Sequence, residues 1–279
     1  MRATGRMWAA ACVAAVALAV GGPAVAGLIT LADGNATLQI DPDTSAGVLD
    51  WSIGTTTNLD RQWFWFRNDL PEWSGREYSV DEIGTPVVFQ TPAVPNLAIL
   101  TYTDAQNRFS IQLTYMLTGG AGSRTADLME NVKVTNLGDT TLTFDIFQYS
   151  DFSLGGDSDD YSVRITGGNR AVQTGYGPGV TLSETVTTGS PDLSEVGMGI
   201  YPTTLEKLTD SDIDDLSGST VLYGPADLTW AFQWSDRSIA PGHAFIISKD
   251  KLLTVQPVPE PAGLGLIGLA LLALRKRRS

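Results

Sequence analysis

Between residues 27 and 256, apolar and polar side chains alternate in short runs that Gly, Asn, Asp and Pro break apart. A period of two marks a strand with one buried face, and the Thr, Val and aromatic residues filling these runs suit a pleated surface. The pattern predicts strands over 37–41, 47–53, 62–67, 98–103, 109–118, 128–135, 141–149, 161–165, 180–186, 228–234 and 244–248. No long helical pattern alternates with them, which argues against a parallel sheet of βαβ units. The expected fold class is all-β, an antiparallel β-sandwich with one short helix. A hairpin is predicted where 132–135 and 142–147 flank Asn136-Leu137-Gly138-Asp139, because Asn and Gly tolerate positive φ.

One segment follows another period. Leu205, Leu208, Asp212, Ile213 and Leu216 recur at helical spacing, Thr203 and Glu206 are spaced as a capping box, and Gly218 supplies a stop. The short helix is expected there, lying across or beside the sandwich.

The two ends leave the strand pattern altogether. Arg2 and Arg6 precede an uncharged apolar run from Trp8 to Val20, which Gly21-Gly22-Pro23 ends. Ala24 and Ala26 are the small residues a signal peptidase accepts when it cuts before Gly27. At the other end, Pro259-Glu260-Pro261 leads into an uncharged run from Ala262 to Leu274 and then Arg275-Lys276-Arg277-Arg278. As a helix that run spans about 20 Å, short of the roughly 30 Å of bilayer hydrocarbon. The basic cluster settles the topology: it holds the C-terminus in the cytoplasm while a leader carries the middle of the chain across.

The order Pro-Glu-Pro, a short apolar helix bearing Gly263, Gly265 and Gly268, and a terminal basic cluster resembles the PEP-CTERM sorting signal of Gram-negative bacteria. The resemblance covers residues 257–279. It implies transient anchoring by a transmembrane helix in the inner membrane and recognition by an exosortase, a membrane transpeptidase. Cleavage near Pro259, Glu260 and Pro261 would follow, with release or attachment at the cell surface or in the extracellular matrix. Members of that family are commonly associated with exopolysaccharide and biofilm. The expected organisation is a signal peptide over 1–26, a β-sandwich domain over 27–256 and the sorting signal over 257–279, with signal peptidase and exosortase as processing partners.

Charge narrows the partners. The formal net charge is −13, and Arg2, Arg6 and the C-terminal basic cluster lie in the ends, where the only acid is Glu260, so the middle is more acidic still. Such a body repels phosphate backbones, which excludes nucleic acid, and suits calcium or calcium-bridged polymers instead. The only cysteine, Cys12, lies in the leader, leaving the domain without disulfides, thiolate metal sites or a cysteine nucleophile.

Candidate sites are few. Trp63 and Trp65 share one face of a predicted strand and could stack on sugar rings, or else fill a core together with Phe64 and Phe66. Trp230, Phe232 and Trp234 alternate onto one face and read as core. Gly155-Gly156 precedes Asp157, Asp159 and Asp160, a flexible acidic loop whose oxygens could ligate Ca²⁺ or simply stand solvated at a strand end; no other cofactor is implied. Asp210, Asp212, Asp214 and Asp215 begin like an EF-hand loop, but Asp215 stands where its turn glycine belongs and Val221 where its bidentate Glu belongs. A solvated helix face is expected there. His243 is the only histidine, which excludes paired-histidine metal motifs, and it reads as a turn residue opening a strand. No serine elbow, P-loop or dinucleotide glycine pattern is present, and no motif selects one carboxylate pair for glycosidic chemistry. The expected function is a non-enzymatic, exported surface or matrix component associated with exopolysaccharide. A carbohydrate-binding module and a carbohydrate-active enzyme are the alternatives.

Overall fold

The computed structural model describes residues 27–176, 179–187 and 193–255. The predicted leader with Ala24 and Ala26, and the predicted sorting signal with Pro259, Glu260, Pro261, Arg275, Lys276, Arg277 and Arg278, lie outside the described residues. Among the described residues no helix is long and apolar enough to cross a membrane.

The alternating runs form strands. In chain order they are β1 (Ile29–Asp33), β2 (Ala36–Asp41), β3 (Gly47–Ile53), β4 (Thr56–Thr57), β5 (Arg61–Asn68), β6 (Tyr78–Ser79), β7 (Val87–Thr91), β8 (Val94–Thr103) and β9 (Phe109–Thr118). There follow β10 (Thr125–Asn136), β11 (Leu142–Asp151), β12 (Asp160–Thr166), β13 (Arg170–Gly175), β14 (Val180–Val186) and β15 (Glu195–Ile200). After α1 (Thr203–Thr209) come β16 (Val221–Ala226), β17 (Leu228–Ile239) and β18 (Ala244–Val255). The first sheet runs β1-β2-β3-β5-β11-β17-β15, with β4 on β3 and β6 on β5; the second runs β16-β12-β13-β14-β18-β10-β9-β8-β7. All pairings are antiparallel except the short contact of β3 with β5. The all-β sandwich expected from the sequence is the fold.

Between the sheets, each strand turns its even or odd positions inward. Phe64, Phe66, Phe144, Ile146, Trp230, Phe232 and Trp234 come from the first sheet and Phe109, Leu113, Val132, Val134 and Leu182 from the second, all buried. Phe66, Phe109 and Phe144 pack with ring centroids 5.3 to 6.3 Å apart, joining the sheets edge-on. The interior also holds charge. Lys249 and Lys251 on β18, Glu130 on β10 and Glu184 on β14 are each at most 1% exposed. Burial pushes the Glu130 carboxyl up, and the two ammonium groups outweigh it, so it sits below the usual carboxylate range. Burial pushes Lys251 down, against the opposing pull of Glu130 and Glu184.

Two local expectations fail for physical reasons. The predicted hairpin over 132–147 does not form, because β10 belongs to the second sheet and β11 to the first. Alternation gave both strands correctly, yet their inward faces oppose each other across the core, so the link between them is a corner. Asn136, fully buried, fixes that corner: its side-chain amide donates to Thr140 O and Ile239 O, and its side-chain oxygen accepts Gly138 N. The predicted capping box at Thr203 is also absent: Pro202 is the N-cap, and the Thr203 hydroxyl donates back to Ile200 O. A capping box forms instead between Ser79 and Glu82, at the 3-10 turn Val80–Ile83. His243 sits in the turn before β18, as expected, its N–H donating to Ala240 O.

Asn136→Ala removes two donated bonds and leaves two carbonyls short of a donor at a buried corner. It is expected to cost about 2–4 kcal/mol of unfolding free energy, read as a fall in urea midpoint at unchanged m-value; a loss below about 0.5 kcal/mol would show that the corner does not depend on this side chain.

Candidate functional site

Alternation puts Trp63, Trp65 and Arg67 on the side of β5 opposite Gln62, Phe64 and Phe66. Trp65 and Arg67 lie beside Phe147 and Asp145 of β11. That side of the sheet is covered. The indole of Trp63 donates to Asp81 Oδ1 at 3.0 Å and meets Tyr102 of the second sheet edge-on, while Trp65 packs edge-on against Tyr149. Both tryptophans are at most 1% exposed. The expected stacking platform is therefore corrected: Trp63 and Trp65 are core, closed off by Asp81 of the turn at 80–83, by Tyr102 and by Tyr149.

Arg67 ties this cover down. Its Nε donates to Asp145 Oδ2 at 2.6 Å, Nη1 to Glu77 Oε1 at 2.6 Å and Asp214 O at 2.7 Å, and Nη2 to Asp215 Oδ1 at 2.5 Å. The guanidinium also lies over Phe147. Burial raises the Glu77 carboxyl, and Arg67 offsets only part of this. The helix stops at Thr209, and Asp210 Oδ1 then accepts Asp212 N. Asp214 O and the Asp215 carboxylate thus accept from Arg67 on an extended strap, so no helix face forms there, while Asp210, Asp212 and Asp215 stand exposed as expected. Leu216 follows, donating its N–H to Gln233 Oε1 and packing over Gly197, where a Cβ would lie 3.1 Å from its Cδ2. With its donors engaged in this way, Arg67 is a strut.

A cluster of carboxyls lies at one end of the sandwich. There the start of β5, the end of β11, the start of β12 and the start of β17 bring Asp60, Asp151, Asp160 and Asp227 within electrostatic range. Asp60 N donates to Asp151 O at 3.0 Å, and Tyr149 Oη donates to Asp151 Oδ2 at 3.0 Å. Leu228 N donates to Asp160 Oδ2 at 3.1 Å. One oxygen on each of Asp151, Asp160 and Asp227 has no hydrogen-bond partner. Burial, with Asp227 nearby, pushes Asp151 up to about 7. Burial pushes Asp160 up to about 8, against the pull of Gln173 and Leu228 N and with the charges of Asp227 and Asp151 adding to it. Near neutral pH this end therefore holds both protonated and ionised carboxyls, the mixture that general acid–base chemistry needs.

The expected calcium loop is corrected at the same place. Asp157 and Asp159 are exposed, and Asp157 Oδ1 caps Asp159 N. Asp160 begins β12 and turns inward, so the three do not share a site. Among the described residues no group of His, Cys, Asp or Glu is arranged to hold a metal ion. Sequence reasoning missed Asp60, Asp151 and Asp227 because they are scattered singly over strand ends. One readable signal existed: Asp151 has the same strand parity as Phe147 and Tyr149, which put it on a covered face.

No protein-family model matches this chain, and no curated protein matches it in sequence. Solved structures match its fold. A putative aldose 1-epimerase from Escherichia coli K12 aligns with TM-score 0.51 and 14% identity, over 83% of this chain and 99% of that one. A galactose mutarotase-like protein from Lactobacillus casei ATCC 334 aligns with TM-score 0.54 and 11% identity, over 81% and 100%. A bacterial glucoamylase complexed with acarbose aligns with TM-score 0.54 and 9% identity, over 85% of this chain and 34% of that one. The chain thus has a galactose mutarotase-like sandwich fold. The expectation of a non-enzymatic component does not survive this comparison, since it rested on finding no catalytic constellation and the fold is one on which carbohydrate-active enzymes are built.

The raised carboxyls make stability depend on pH. The folded pKa of Asp160 lies above its unfolded value near 4, so the folded state binds the extra proton between those values and stability falls as pH rises from about 4 through about 8. Asp160→Asn keeps an acceptor for Leu228 N and is expected to flatten that slope, most visibly as a raised urea midpoint at pH 9 relative to wild type. An unchanged slope would show that the carboxyl titrates as if exposed.

Proposed function

We propose that this chain is an exported carbohydrate-active protein in which Asp151, Asp160 and Asp227 supply acid–base chemistry to a sugar. The observation that carries the reading is the set of unpartnered, near-neutral carboxyl oxygens at one end of a mutarotase-like sandwich. Opening or inverting a sugar at its anomeric carbon needs one group to take a hydroxyl proton and another to deliver one to the ring oxygen. A carboxyl held protonated beside one that is partly ionised can do both at neutral pH. Asp60 and Asp159 stand exposed at the rim, Asp227 is half-buried, and Asp151 and Asp160 are buried beneath them. Delivery would follow the terminal signals: export by the leader, then exosortase processing at Pro259-Glu260-Pro261, leaving the domain where exopolysaccharide is found.

A binding reading has its own support. Tyr161 and Tyr176 are half exposed and pack edge-on with centroids 5.8 Å apart, Tyr161 following Asp160 and Tyr176 following its cross-strand partner Gly175. They offer ring faces to a saccharide in place of the buried tryptophans.

The test is NMR exchange between α and β anomers of common aldoses, together with release of reducing ends from the producing cell's own polysaccharide. Acceleration that drops about 100-fold or more in Asp151→Asn is the expected result for catalysis. Saturation transfer to a saccharide without turnover, lost in Tyr161→Ala, would favour binding alone. Neither turnover nor saturation transfer with any of these sugars would overturn both.

A further inference from the structure

Side chains from both sheets meet around Lys249 in the dry interior. Lys249 Nζ donates to Gln148 Oε1 of β11 and, at 2.7 Å, to Glu130 Oε2. The amide nitrogen of Gln148 donates to Glu184 Oε2 at 3.0 Å and to Ser150 Oγ at 2.9 Å. The other Glu184 oxygen lies 3.3 Å from Lys249 Nζ and has no hydrogen-bond partner. The Phe64 ring lies 4.4 Å from the same nitrogen. Lys249, Gln148 and Glu184 are all fully buried. An amine thus rests on a carboxamide carbonyl, while a single carboxyl group reaches both that amine and the amide nitrogen that would depart.

We propose that Lys249 and Gln148 form an intramolecular isopeptide bond, with Glu184 carrying the proton from the incoming nitrogen to the leaving one. Glu130 first accepts a proton from the Lys249 ammonium along their 2.7 Å contact, and the free amine of the minor neutral pair so formed is the species that reacts. The free amine attacks Gln148 Cδ and the Nζ–Cδ bond forms. One of its protons passes to Glu184 Oε1, and rotation of that carboxyl group carries the same proton round to Nε2 as the Cδ–Nε2 bond breaks, leaving Glu184 ionised again. Ammonia leaves, and no oxidant or co-reactant is required. Lys251 and Glu184 remain as opposite charges, so the interior stays neutral. A second amine–amide contact exists, Lys251 Nζ to Gln62 Oε1 at 3.2 Å, but there the Gln62 nitrogen has no hydrogen-bond partner and hence no group to protonate it as it departs. The bond would join β18 to β11 across the sandwich and close a long loop of chain, constraining the unfolded state as a disulfide does. The described residues contain no cysteine with which to do so.

The experiment is mass spectrometry of the folded full chain after digestion under denaturing conditions. The expected product is a branched peptide that joins the Gln148 and Lys249 segments and is one ammonia lighter than the two together. Lys249→Met and Glu184→Gln, each checked for a native circular dichroism spectrum, are expected to yield both segments unlinked at full mass. The wild-type measurement stands without either variant: unlinked segments at full mass, after prolonged incubation of folded protein, overturn the proposal. So does a link that runs through Lys251 and Gln62 instead.

Discussion

The constraint on which the structure depends is electrical neutrality in a dry interior. Two lysines and two glutamates meet between the sheets, and any one of them unpaired would cost several kcal/mol. Lys249 and Lys251 both reach Glu130 and Glu184, so β18 must lie between β10 and β14, in the register in which Glu130 opposes Lys249 and Glu184 opposes Lys251. A slip of β18 by one residue would turn both lysines to the outer face, leave Glu130 and Glu184 unpaired inside, and bring Ser248, Asp250 and Leu252 in. Gln62 and Gln148 extend the constraint to the first sheet by accepting from the same ammonium groups. Aliphatic and aromatic side chains fill the core; the ionic lattice fixes which strands meet, and where.

A sandwich held this way is rigid at its centre, which leaves variation to its covers and ends. On the far side of the first sheet Arg67 gathers Glu77, Asp145, Asp214 and Asp215, fastening the strap after α1 over Phe147 and Gln233. That face is therefore occupied by the chain's own residues. At the end where β5, β11, β12 and β17 converge, backbone hydrogen bonds hold Asp60, Asp151 and Asp160 in place while leaving carboxyl oxygens without partners. Burying several carboxyls together is unfavourable, and the upward shift of their proton affinities is the form that cost takes. Raised carboxyls clustered in this way are more typical of sites than of scaffolds.

Most strands were legible from period-two alternation, and β9 and β14 have the predicted bounds. What alternation cannot convey is which sheet a strand joins. The stretch from 132 to 147 reads as a hairpin by every local rule, and only the corner at Asn136, which bonds to Ile239 far along the chain, shows that it is not. The helix after Thr203 was legible, but its length was not, because Leu216 keeps helical spacing by coincidence while packing from an extended strap. Trp63 and Trp65 illustrate the same limit: their shared face was readable, its cover was not.

The buried ions were the least legible part, yet the sequence carries a trace of them. The strand predicted over 244–248 stops just before Lys249, Asp250 and Lys251, whereas β18 runs on to Val255. Lys249 and Lys251 share the parity of Ile247 and Leu253. Glu130 shares that of Leu128 and Val132, and Glu184 that of Leu182 and Val186. A charge in an apolar row means either that the strand ends there or that an opposite charge waits inside. Within a single strand the first explanation is the simpler. Across three strands that each break the row with a charge, and whose signs balance, the second leaves fewer coincidences, because three strands ending there would leave the apolar residues beyond each charge without a face to bury.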